Sequence, residues 1–104
     1  MSQLRHVVMF AFKDETPKET IREIEEGFAA LPGKIPGITG FEWGTDVSVE
    51  GKTQGYSHCF LVTFADEAAR DAYLPHPAHQ EFVQLVRQHV AGPSLVFDYW
   101  SREQ

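Results

Sequence analysis

An α+β domain with a ferredoxin-like βαββαβ sandwich is the fold class this sequence predicts, and three observations carry it. Periodic segments run in the order strand, helix, strand, strand, helix, strand. Pro-Gly and Gly-Pro pairs at 32–33, 36–37 and 92–93 fall between those segments as breaks. The 104 residues, 42% hydrophobic and 23% charged, suit one globular domain with a substantial core, so residues 1–104 read as a single domain. Right-handed crossovers then place the first and third strands side by side and antiparallel at the centre of the sheet.

Residues 5–12 (RHVVMFAF) form a β-branched and aromatic run, the pattern of a strand. Thr16 reads as the cap of the next helix, with Pro17 in the first helical position and Glu19 closing a capping box. Ile21, Ile24, Phe28 and Leu31 follow as one amphipathic stripe, ended by Pro32-Gly33. The cluster of charges from Glu19 to Glu26 reads as the solvated face of that helix. Residues 38–47, with Phe41 and Trp43 in alternation, read as a second strand, and the polar residues 46–55 as a loop. Residues 56–64 (YSHCFLVTF) are the clearest strand. A short helix over 66–74 leads to the Pro75-His76-Pro77 break, a longer helix over 77–91 and a last strand over 94–100.

Two helices cover one face of such a sheet. The other face carries Val7, Met9, Ala11, Cys59 and Leu61, too apolar to leave in water, so a second copy of the chain is expected to cover it as a homodimer. Charge narrows the partners further. Nine Lys+Arg against 15 Asp+Glu leave a formal charge of 9 − 15 = −6, which argues against nucleic acid and anionic membranes. A single cysteine rules out an internal disulfide and a paired-cysteine metal or redox site, and Cys59 reads as a small core residue. The apolar run in the first ten residues is too short for a secretory leader, and no stretch reaches membrane-span length; a cytoplasmic domain is the expectation.

The five histidines are the compositional feature that points to chemistry. His6 and His58 fall on matching faces of the two strands expected to be neighbours, turned toward the helices. His79, in the first turn of the last helix, shares its stripe with Phe82, Val83, Val86 and Val90, all within about 60° of it at 100° per residue. The helix dipole and burial both disfavour the imidazolium, so His79 is expected to be neutral and able to accept a proton. Tyr73 is placed to hold a substrate oxygen through its hydroxyl. His6 and His58 are then either further groups of one cavity or satisfied polar residues at strand ends, and His76 either lines the cavity or caps the helix at Pro77. His89 lies off the stripe beside Arg87 and Gln88 and reads as a surface group. Ile24 and Phe28 are candidate cavity walls. No metal is expected: His76 and His79 at i, i+3 lack a carboxylate to complete a set, and HEXXH is missing. The Gly-bearing segments match neither a P-loop nor a dinucleotide fingerprint, and no nucleophile elbow is present.

Three segments, HVVMFAFKD, PGITGFEWGTDVSVEGKTQGYSHCFLVTF and DAYLPHPAHQEF, resemble the stress-responsive A/B barrel (Dabb) domain family over residues 6–99. The resemblance implies a dimeric α+β barrel built of ferredoxin-like halves. It also implies a likeness to a plant polyketide cyclase within the family, which closes its substrate by intramolecular aldol condensation without a metal or cofactor. On that likeness Tyr73 and His79 would be catalytic, with His79 taking the proton and Tyr73 anchoring the carbonyl, and His6 and His58 would match that enzyme's strand histidines. Three functions are therefore weighed: a cofactor-independent enzyme acting on a small molecule, a non-catalytic ligand-binding or stress-response protein, and a cofactor-free monooxygenase-like enzyme.

Overall fold

The computed structural model describes residues 2–102. Its elements are β1 (Leu4–Phe10), α1 (Lys18–Ala30), a one-turn 3₁₀ segment (Leu31–Gly33), β2 (Ile38–Thr45), β3 (His58–Phe64), α2 (Glu67–Tyr73), α3 (Pro77–Arg87) and β4 (Leu95–Trp100). The four strands form one antiparallel sheet in the order β2-β3-β1-β4, with β1 and β3 at its centre. This is the ferredoxin-like α+β arrangement that the element order predicts.

Alternation sorts the side chains. Leu4, Val8 and Phe10 of β1 and Phe60, Val62 and Phe64 of β3 are buried beneath the helices. The α1 stripe delivers Ile24 and Phe28, with Leu31 just beyond it, to the same layer. Phe28 stacks on Phe60 at 4.4 Å between ring centroids and meets Phe82 of α3 at 5.0 Å. That aromatic contact ties α1, α3 and the sheet together. The opposite face carries Val7, Met9, Cys59 and Leu61, half-buried, with Leu95, Phe97 and Tyr99 of β4 exposed beside them.

Several boundaries differ from the sequence pattern, and four of them have a hydrogen-bonding cause. Pro17, not Thr16, is the N-cap of α1; its carbonyl accepts from Thr20 and Ile21, while the Thr16 hydroxyl donates to the His89 carbonyl. No side-chain cap or capping box forms there. β1 stops at Phe10 and α3 at Arg87 because the residues beyond each pair with one another. Phe12 bridges Val90, Lys13 N–H donates to His89 and Ala91 N–H donates to Ala11. β2 ends at Thr45, where Asp46 turns to accept from the Ser48 amide and hydroxyl. Gly37 sits at φ +96°, and its carbonyl accepts from Ala65 at the far end of β3.

Candidate functional site

A cavity of about 450 Å³ lies between the helix side of β1 and β4 and the inner face of α3. One end is polar and is built from β1, α2 and α3. Tyr73, the last residue of α2, is 1% exposed and stands between two imidazoles. Its ring is 4.3 Å from that of His79 and 5.8 Å from that of His6. Val8, Phe10, Val83, Val86, Val90 and Val96 continue the cavity away from this group as an apolar wall.

The short turn between α2 and α3 sets the His79 ring. His79 Nδ1 lies 2.9 Å from the Leu74 carbonyl, which can only accept, so Nδ1 carries the hydrogen. In the neutral ring this leaves Nε2 with a free lone pair. Burial lowers the His79 pKa most; the Leu74 carbonyl opposes that by favouring the cation, and nearby His6 and His76 add to the lowering. Burial raises the Tyr73 pKa, which keeps its hydroxyl a donor. None of the hydrogen bonds among the described residues uses that hydroxyl, and no buried side-chain polar atom is left unpaired there, so the hydroxyl opens onto the cavity. The pair therefore offers one acceptor nitrogen and one uncommitted donor at the same end of an apolar space.

His6 is buried, and its Nδ1–H donates to Asp98 Oδ1 at 2.6 Å. Arg70 of α2 donates to the other Asp98 oxygen at 3.2 Å. Asp98 faces His6 directly across the β1–β4 pairing and orients the ring. Neither Asp98 nor Arg70 was among the residues singled out by the sequence pattern. The available signal is a lone carboxylate inside SLVFDYW, on the same parity as Val96, but its partner becomes evident only from the β1–β4 register.

Of the residues expected at the site, His6, Tyr73, His79 and Phe28 line this cavity, and His58, His76 and Ile24 do not. Antiparallel pairing sets His6 against Val62 but His58 against Phe10, so the two histidines are separated by four residues of β1, about 13 Å along the strand. His58 Nε2 is 2.7 Å from Glu25 of α1, its Nδ1 is 2.8 Å from the Ser57 hydroxyl, and its ring lies parallel to Trp43. It lines a separate groove with Trp43, Ser57 and Cys59. The Cys59 thiol is held above its usual range by burial and by the Glu42 carboxylate. His76 is the N-cap of α3, where its Nδ1 accepts from the Ala78 amide. Ile24 is wholly enclosed in the core. Among the described residues no three His, Cys, Asp or Glu side chains come together as a metal-holding group, and no helix is long and apolar enough to cross a membrane.

A ferredoxin-like sheet with a histidine- and tyrosine-ended cavity under its helices defines a class of small α+β domains. The chain belongs to the stress responsive A/B barrel domain family, whose model matches residues 4–101. It is 42% identical over 96 residues to a stress-response A/B barrel domain-containing protein, HS1, of Arabidopsis thaliana, covering 92% of this chain and 87% of that one. It is 32% identical over 100 residues to olivetolic acid cyclase of Cannabis sativa, covering 96% and 98% of the two chains. Its fold matches that of a protein from Jannaschia sp. CCS1, described as a dimeric ferredoxin-like protein of unknown function, with a TM-score of 0.77 at 34% identity over 93% of this chain and 97% of that one.

Proposed function

We propose that this protein is a small-molecule enzyme that moves a proton at a carbon beside a carbonyl, with His79 as the base and Tyr73 as the oxygen anchor. The observation that carries this is the 4.3 Å contact between the two rings, with Nδ1 of His79 committed to Leu74 and the Tyr73 hydroxyl uncommitted. One carbonyl compound is able to touch both groups. Nε2 takes the proton, the C–H electron pair moves onto the carbonyl oxygen, and the Tyr73 O–H donates a hydrogen bond to the resulting enolate. The enolate carbon then recovers the proton from the imidazolium. Alternatively it forms a bond to a second carbonyl of the same molecule, whose new alkoxide takes that proton. Either way the proton balance closes on His79. The relationship to olivetolic acid cyclase supports the second course.

The homodimer is part of the same proposal. Phe97 is 60% exposed on a face shared with Val7, Met9 and Leu61, and a second sheet packed against it would remove that surface from water and give a dimeric α+β barrel. The dimeric description of the Jannaschia relative supports it.

The test uses decan-2-one in D₂O at pH 7, with exchange of the protons beside its carbonyl followed by proton NMR. The expected result is exchange faster with the protein than in buffer, abolished by His79→Ala and reduced roughly a hundredfold by Tyr73→Phe. Decan-2-one held in the cavity without accelerated exchange would refute the catalytic assignment and leave a binding protein.

A further inference from the structure

We infer that the far end of the cavity, at Arg87, receives the carboxylate head of an amphipathic substrate whose reacting carbonyl lies at Tyr73 and His79. This rests on the proposed proton-transfer site and adds the chemical class of its ligand. The chain has 15 Asp+Glu against 9 Lys+Arg, yet among the described residues no acidic side chain lines this cavity, and Arg87 is the one fixed charge in its lining. A net-acidic protein thus presents an isolated cation at an apolar space, an arrangement that favours an anion over a neutral or cationic ligand. The guanidinium fork matches the two oxygens of a carboxylate. Ser94, at the same end, adds a hydroxyl.

The two ends are spaced by the helix that carries them. His79 and Arg87 both line the cavity from α3 and are eight residues apart, which is about 12 Å at 1.5 Å per residue. At about 1.2 Å per bond of extended chain, that span takes roughly ten bonds. Val83 and Val86 of α3 and Val8 and Val96 of the sheet line the space between, with no charge to meet. Arg87, Gly92 and Pro93 are exposed, so the Arg87 end opens to solvent; at the other end Tyr73 is buried, with His79 half-buried and Leu74 exposed beside it. An aliphatic chain with a carbonyl at its leading end and a carboxylate at its trailing end fits this order. The head stays at the Arg87 mouth, where its hydration is only partly lost, and the reacting carbonyl is delivered to the buried Tyr73 ring and the His79 beside it.

Calorimetric titration of the full chain with decanoate, decan-1-ol and decylamine at pH 7 tests the inference. Decanoate is expected to bind roughly tenfold tighter than decan-1-ol, with decylamine weakest. Arg87→Met should bring decanoate to the affinity of decan-1-ol without weakening decan-1-ol, and Arg87→Lys should restore part of the preference. Val83→Trp, which fills the middle of the cavity, should weaken all three. Equal affinities for decanoate and decan-1-ol in the unmodified protein, or a preference that survives Arg87→Met, would overturn the assignment. So would decanoate binding untouched by Val83→Trp. In those cases decan-2-one exchange through His79 would still stand. If none of the three compounds binds and decan-2-one exchange is also absent, both assignments fall together.

Discussion

Replacing Asp98 with alanine removes the acceptor that orients His6 and one of the two carboxylates that hold Arg70. The His6 side chain is 5% exposed and the Asp98 side chain 25%, so their 2.6 Å bond is largely shielded from water. A charge-assisted bond of this kind contributes about 1.5–3 kcal/mol, and the partly wet carboxylate places it near the middle of that range. The Arg70–Asp98 contact is longer, at 3.2 Å, and open to water, so it adds little beside the His6 bond. Asp98→Ala should therefore cost about 2–3 kcal/mol. Asp98→Asn should cost about half as much, because the amide oxygen still accepts from His6 Nδ1–H while the negative charge facing Arg70 is lost. Urea unfolding at pH 7 and fixed protomer concentration reads this as a fall in midpoint with an unchanged slope, the fixed concentration holding any dimer contribution constant. A loss below about 0.5 kcal/mol for Asp98→Ala, or equal losses for the two variants, would show that the carboxylate does not hold His6.

The pH dependence should follow His79, whose folded-state pKa lies below its ordinary value of 6.5. The folded protein binds fewer protons than the unfolded chain there, so the stability linked to His79 is complete above 6.5 and lost as pH falls through the lowered value. Unfolding free energy measured against pH should show an acid limb that flattens in His79→Phe; an identical limb in the variant would contradict the assignment. Since the neutral ring is the base, decan-2-one exchange should also decline with an apparent pKa below 6.5, and a midpoint above it would count against His79. Gly37→Ala should cost about 2–4 kcal/mol in urea unfolding, because φ is +96° and the new Cβ would lie 2.7 Å from that of Ala69. Gly33→Ala, with open space around it, is the neutral control, and equal effects would refute the steric account. Phe97→Asp should shift the protein from dimer to monomer in sedimentation at micromolar concentration, and an unmodified protein that is already monomeric there would remove the basis for the paired sheets.

The α1 stripe shows what local pattern is able to specify. Ile24, Phe28 and Leu31 recur at helical spacing and do end in the core. The alternation of β1 and β3 likewise separates the face holding Phe10, Phe60 and Phe64 from the face holding Val7, Met9 and Leu61. These outcomes depend on the period of the backbone and the cost of wetting apolar groups, both of which act within a few residues. Tyr73 and His79 share that advantage. They are six residues apart across one tight turn, so α2 and α3 have little freedom to separate them.

Histidine parity alone was insufficient to place His58. It shares a face with His6, but a face is a line of positions, and antiparallel register decides where along that line two residues fall. The pairing of His58 with Phe10 carries it about 13 Å from His6 and into the reach of Glu25. Asp98 is the converse case: it is 92 positions from its partner His6, and only the β1–β4 pairing brings them to 2.6 Å. The helix ends follow the same rule, since α3 stops at Arg87 where residues 89–91 bond to residues 11–13. The sequence by itself therefore determined the order of elements and the burial of each face, because those rest on short-range periodicity. The tertiary structure alone decided which histidine enters the cavity, which carboxylate orients it and where Arg87 lies relative to both, because those rest on register between strands and helices distant in the chain.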